Sequence, residues 1–131
     1  MKPFITLLFA HLLLMASCNA PSKNSYTDAD VDSFAQMAVE PQNQLVDVRT
    51  PEEYAEGHLK NAVLINIKDD DFDKKAERLL KKDRKVLVYC RSGRRSAEAA
   101  QRLADKGYKV VNLEGGYLKW TESGCAVEDN Q

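Results

Sequence analysis

Beyond residue 26 the chain alternates between two hydrophobic rhythms. Val31, Phe34, Ala35 and Ala38 recur at helical spacing, and Thr27 with Asp30 three residues on resembles a capping box with Asp in place of Glu. The spacing predicts a helix over 28–38. Gln44-Leu45-Val46-Asp47-Val48-Arg49 is a short apolar stretch with β-branched residues, halted by Thr50-Pro51, where proline suits the first position of a helix through Glu56 that stops at Gly57. Ala62-Val63-Leu64-Ile65-Asn66-Ile67 repeats the strand pattern, and Phe72, Ala76, Leu79 and Leu80 mark one face of a charged helix. Lys85-Val86-Leu87-Val88-Tyr89 is apolar after its lysine, as expected of a central strand covered on both sides. Ala97, Ala100, Leu103 and Ala104 then line a helix over 96–106 that Gly107 ends. A last strand over 108–113, a Gly115-Gly116 turn and a short helix over 117–122 carrying Trp120 complete the pattern.

Such alternation predicts parallel βαβ units with right-handed crossovers, hence an α/β fold. The length of 131 residues suits one domain and excludes two of ordinary size. With 19 basic and 20 acidic side chains the formal charge is -1, so no global positive field exists to draw the chain onto nucleic acid, and no nucleic-acid partner is expected.

The first seventeen residues depart from this pattern. They carry one fixed charge, Lys2, followed by the apolar run Phe4 to Met15, interrupted by Thr6 and His11. That run is shorter than the roughly 20 residues needed to cross a hydrocarbon core, and reads as an export leader rather than a spanning helix. Leu14-Met15-Ala16-Ser17-Cys18 resembles the lipobox of bacterial lipoproteins, with Met15 where leucine is usual. Two outcomes stay open: acylation of Cys18 after removal of 1–17, or ordinary cleavage after Ala20. In the first, acyl chains on Cys18 give the only membrane contact, and residues 18–26 form a tether whose polar part reaches at most about 28 Å. The expected location is the outer side of a bacterial membrane, or the periplasm if Cys18 carries no lipid.

The chemistry gathers at Cys90-Arg91-Ser92-Gly93-Arg94-Arg95. Cys90 stands at the carboxyl end of the most hydrophobic strand, where open α/β sheets bind ligands. The loop after it offers successive backbone N–H groups, a helix N-terminus, a permissive glycine and three arginines, all of which favour an anion. A thiol in such surroundings acquires thiolate character.

Four segments together resemble a known family: Leu45-Val46-Asp47-Val48-Arg49, Glu53 to Ala62 around Gly57-His58, Cys90 to Arg95, and Leu113-Glu114-Gly115-Gly116 with Trp120. In their order and spacing they are similar to a single-domain rhodanese over residues 27–124, with 125–131 as a C-terminal tail. The resemblance implies a five-stranded parallel sheet flanked by helices on both faces, and sulfurtransferase chemistry through a cysteine persulfide. Cys90 is then the nucleophile, and Arg91, Ser92, Gly93, Arg94 and Arg95 form the substrate cradle, with Arg91 and Arg95 expected to hold the donor. Related phosphatases place five residues between Cys and Arg; here four separate Cys90 from Arg95, and Tyr89 replaces their histidine, which suits a sulfur atom better than a phosphate.

Charge then suggests the reaction. A Cys90 thiolate takes the outer sulfur of a small anionic donor such as thiosulfate and passes it to cyanide or a thiol, and neither step calls for a metal or organic cofactor. A non-catalytic module that only binds an anionic ligand or protein partner is the alternative, disfavoured by the intact Cys90. Asp47, Arg49, Glu53 and His58 are expected to brace loops, and Trp120 to join the core. His58, Cys90 and Cys125 are too few and too scattered for a zinc site. Cys125 is read as a free thiol, with a resolving disulfide to Cys90 left open, and the domain as a monomer.

Overall fold

The computed structural model describes residues 25–129; the leader, Cys18 and most of the tether lie outside them. In chain order the elements are β1 (Thr27–Ala29), α1 (Val31–Ala38), β2 (Gln44–Asp47), α2 (Pro51–Glu56), β3 (Val63–Leu64), α3 (Phe72–Leu79), β4 (Val86–Tyr89), α4 (Arg94–Asp105), β5 (Val110–Leu113) and α5 (Gly116–Glu122). The strands form one sheet in the order β1-β5-β4-β2-β3, and every pairing is parallel. This is the rhodanese-type α/β arrangement expected, with β4 at the centre and buried throughout.

Strand alternation divides the core. Val46, Val86, Val88 and Val110 face α3 and α4, where they meet Phe72, Ala76, Ala100 and Leu103. Leu45, Leu87, Tyr89, Val111 and Leu113 face the other way, against Val31 and Phe34 of α1 and Trp120 of α5. Both faces of β4 are therefore apolar, which is why its sequence shows no alternation. Consecutive residues Tyr89 and Cys90 leave the sheet toward opposite faces.

Several boundaries differ from the sequence expectation. Thr27–Ala29 is a strand, not the first turn of a helix, because Thr27 pairs with Val111 and Asp28 with Asn112, while Asp30 is the true cap, accepting from Ser33 N at 2.8 Å. The strand over 62–67 shortens to Val63–Leu64, although Ile65 N and Ile67 N still donate to the Asp47 and Val48 carbonyls and keep both isoleucines buried. In α3 the buried face is Phe72 and Ala76 with Leu80 just beyond, and Leu79 is 47% exposed. In α4, which begins two residues early at Arg94, Ala99 takes the buried position assigned to Ala97. The stretch after α5 is tied back, since His58 and Glu128 exchange backbone hydrogen bonds of 2.7 Å in an antiparallel bridge.

Candidate active site

Cys90 follows directly on β4, and the chain turns into α4 within three residues. Gly93 makes that turn with φ 102°, a left-handed conformation that side chains resist. Its N–H points back to Cys90 Sγ at 3.1 Å. Ser96, fully buried in the first turn of α4, places Oγ 3.2 Å from the same sulfur and 3.2 Å from the Gly93 carbonyl. One hydroxyl proton serves both acceptors, so its donation to sulfur strengthens as negative charge gathers there.

The outer side of the loop is held by α5. Tyr117 N donates to the Cys90 carbonyl at 2.8 Å and Leu118 N to the Arg91 carbonyl at 3.0 Å. This contact requires Gly116, where a Cβ would stand 2.6 Å from both carbonyl oxygens. With those carbonyls engaged outward, the loop is fixed independently of its exposed side chains.

Beside the loop lies a buried ionic network at the end of β2. Asp47 accepts from Arg49 N, Nε and Nη2, the last at 2.7 Å, and from the Tyr89 hydroxyl at 2.6 Å. Arg49 Nη2 also donates to the Gly57 carbonyl at 2.7 Å, and Tyr89 Oη accepts from Leu59 N at 3.0 Å. Burial, then the adjacent Asp47 charge, pushes the Tyr89 hydroxyl far above the usual phenol range, so it remains a donor.

The family profile described as Rhodanese-like domain matches residues 30–123, from the α1 cap to the end of α5. The chain belongs to the rhodanese-like family. A protein of Allochromatium vinosum named Sulfurtransferase is 36% identical over 107 residues, covering 76% of this chain and 92% of its own. Thiosulfate sulfurtransferase 18 of Arabidopsis thaliana is 35% identical over 111 residues, covering 76% of this chain and 82% of its own. The crystal structure of a rhodanese-related protein from Thermoplasma volcanium matches with a TM-score of 0.70 at 30% identity, over 79% of this chain and 98% of that one.

Within this rhodanese-like domain the six loop residues have unlike environments. Arg91, Ser92 and Arg94 are exposed, Gly93 is half-buried, and Cys90 is 1% exposed beneath them. Arg95, expected to hold a donor, instead forms a two-pronged ion pair with Glu53 at 2.7 and 2.9 Å. It clamps α4 to α2. Glu53 also completes a capping box with Thr50, so α2, α4 and the cap share one carboxylate. His58 stacks on Tyr54 with ring centres 3.8 Å apart and contacts the Tyr54 carbonyl through Nδ1, which makes it a loop anchor, as expected. Trp120 is core, its Nε1 donating to the Ala126 carbonyl. Cys125 is a free, half-buried thiol packed against the α1–α5 face, whereas Cys90 belongs to the α3–α4 face.

The Arg95 guanidinium holds the Glu53 carboxyl down at about 2, from an ordinary 4.5. A group whose folded value is depressed adds stability above its unfolded value and loses it as pH falls toward the folded one. Wild type should therefore melt above Glu53→Gln at neutral pH, with the gap closing between about 4.5 and 2. Thermal melts across that range check this, and a gap that does not narrow would show that the pair does not stabilise the fold.

The roles of two further participants are not legible in the sequence. Ser96 stands at the start of the helix expected over 96–106 and carries no motif signal, yet its place three residues after Gly93 puts a hydroxyl in the first turn of α4, over the strand end. Gly116 was read as part of a turn, and its close contact with the Cys90 loop depends on a sheet order that local pattern does not display.

Proposed function

We propose that this rhodanese-like domain is a sulfurtransferase that carries sulfane sulfur on Cys90. The observation that supports the reading most is the convergence of the Gly93 N–H and the Ser96 hydroxyl on Cys90 Sγ, two donors placed where negative charge must reside before and after each transfer. The thiolate attacks the outer sulfur of thiosulfate or a similar donor. The donor's S–S bond breaks, its electron pair departs on sulfite, and a Cys90 persulfide remains. A second nucleophile, cyanide or a thiol, then attacks the outer sulfur of that persulfide and returns the pair to Cys90 Sγ. This is a ping-pong sequence.

Arg91 and Arg94, exposed at the loop, supply positive potential for an anionic donor; Arg95 acts through Glu53 as a strut. Intact-mass measurement after incubation with thiosulfate is expected to show one added sulfur per chain, lost on addition of cyanide. An unchanged mass would overturn the reading.

The location is part of the same proposal. Among the described residues no helix is long and apolar enough to cross a membrane, and Leu14-Met15-Ala16-Ser17-Cys18 precedes the domain. Acylation of Cys18 would hold the domain outside a bacterial membrane on its tether. Fractionation with fatty-acid labelling is expected to find label in the membrane fraction, and Cys18→Ser should lose the label while keeping sulfur loading at Cys90. A mature protein that is soluble, unlabelled and begins at Pro21 would mean that cleavage after Ala20 prevails.

A further inference from the structure

Every strand pairing is parallel, so all strands start at one end of the sheet, and Cys90 follows β4 at the other. From Lys85 to Cys90 the strand carries the chain about 17 Å, at roughly 3.3 Å per residue. At the starting end two turns lie side by side. Gln44 donates through its side-chain amide to the Lys81 and Arg84 carbonyls at 2.8 and 3.1 Å, and through N to the Lys85 carbonyl at 2.9 Å. Val86 N donates to the Lys109 carbonyl at 2.8 Å, and Lys82 Nζ lies 5.4 Å from the centre of the Tyr108 ring. Lys81, Lys82, Arg84, Lys85 and Lys109 are all exposed there, against one carboxylate in the two turns, Asp83. Among the described residues none of these cations has an ion-pair partner; Asp73 and Glu77 nearby pair with Arg102 and Lys106. Two other carboxylates at this end, Glu40 and Asp105, accept hydrogen bonds from Gln42 and Gln101.

The chain also enters the domain at this end. Ser25, the first described residue, and Thr27 line a cavity of about 430 Å³ together with Lys85, Tyr108 and Lys109. Cys18 lies seven residues before Ser25, at most about 25 Å of extended chain. A domain of about 100 residues has a radius of gyration near 13 Å and so measures roughly 34 Å across. With Cys18 held at a bilayer by acyl chains, the Cys90 end cannot turn down onto the lipid, because Ser25 would then stand beyond the reach of the tether. The Cys90 end is also mixed in charge, since exposed Arg91 and Arg94 share it with exposed Glu52, Glu56 and Glu114.

We propose that the strand-start end of the domain is a docking surface for anionic phospholipid headgroups: Lys81, Lys82, Arg84, Lys85 and Lys109 lie on the headgroup phosphates, and the Cys90 loop faces away from the bilayer. The inference rests on the acyl anchor at Cys18 proposed above and adds how the anchored domain sits. Charge attraction acts over about a Debye length, roughly 8 Å at physiological ionic strength, and a short tether returns the basic end to that range repeatedly. Each cation near an anionic surface then shifts the ratio of docked to undocked domain by about fivefold. Docked in this way, Arg91 and Arg94 stay clear of lipid phosphate and face the solvent from which an anionic donor arrives.

The test expresses the full chain in a bacterium, purifies the protein from the membrane fraction and anchors it in vesicles of phosphatidylcholine alone or of equal parts phosphatidylcholine and phosphatidylglycerol. An amine-reactive reagent at low conversion, with peptide mass mapping, reads how open each lysine is. On the anionic vesicles Lys81, Lys82, Lys85 and Lys109 are expected to label about tenfold more slowly than on the neutral ones, since several cations each contribute about fivefold. Exposed Lys119, in α5 beside the Cys90 loop, should label alike on both. The protection should vanish in about 1 M salt, where the Debye length falls to roughly 3 Å. Lys81→Gln/Lys82→Gln, which lowers the docked ratio by about 25-fold, should restore most of the labelling of Lys85 and Lys109 while sulfur loading at Cys90 is kept. Equal labelling on both vesicles, protection of Lys119 instead, or the same protection from inorganic phosphate on neutral vesicles overturns this inference and leaves the anchor standing. A protein absent from the membrane fraction overturns the anchor reading and this inference with it.

Discussion

Cys90→Ser is expected to accept no sulfur from thiosulfate and to lower turnover by on the order of 10⁴-fold or more, the scale on which loss of a covalent nucleophile acts. The substitution is nearly isosteric at a site 1% exposed, and Ser retains an acceptor for the Gly93 N–H, so the fold should be kept. What disappears is a polarisable sulfur able to carry a second sulfur. A serine hydroxyl beside the same donors stays protonated near neutral pH and offers no thiolate. Ser96→Ala, in contrast, leaves the nucleophile and removes one of two donors, and should cost roughly 10²-fold at most. Steady-state assay with thiosulfate and cyanide, paired with intact mass and a melting curve, separates the cases. A folded Cys90→Ser protein that retains substantial turnover would place the chemistry elsewhere, and Cys125 on the opposite face would be the first thiol to test.

The alternation of strands and helices was legible because each central strand is short, apolar and bounded by a helix with a clear stripe. The loop at Cys90 was legible for a different reason. Its information is local: cysteine, glycine, arginines and helix start occupy adjacent positions, so sequence spacing and spatial spacing coincide. β1 escaped because two of its three residues are exposed, and it is a strand only through Val111, Asn112 and Leu113 of β5. The role of Arg95 escaped for the same physical reason. In the loop it reads as a free cation, yet its partner Glu53 lies 42 residues away and meets it only once α2 and α4 flank the same strand ends. A charge near a motif is legible from sequence, but whether that charge is already neutralised is a tertiary property.

Asp47→Ala is expected to destabilise the domain by about 3–5 kcal/mol, the cost of leaving a buried charge without its partner. Asp47 is fully buried and accepts from three Arg49 donors and from Tyr89. Among the described residues its removal leaves the 3%-exposed Arg49 guanidinium with the Gly57 carbonyl as its one hydrogen-bond acceptor, and the Tyr89 hydroxyl with no acceptor for its proton. Against a typical total stability of roughly 5–15 kcal/mol, that loss takes a large share. Arg49→Met should cost less than Asp47→Ala, since Asp47 keeps the Tyr89 hydroxyl and the residue 49 backbone N–H as donors. The double variant Asp47→Leu/Arg49→Met should be more stable than Asp47→Ala, because no buried charge remains unpaired. Urea unfolding of the three variants decides it: near-wild-type stability of Asp47→Ala would show that the network does not hold β2, α2 and β4 together, and a double variant no better than the single one would show that packing, rather than charge pairing, sets the cost.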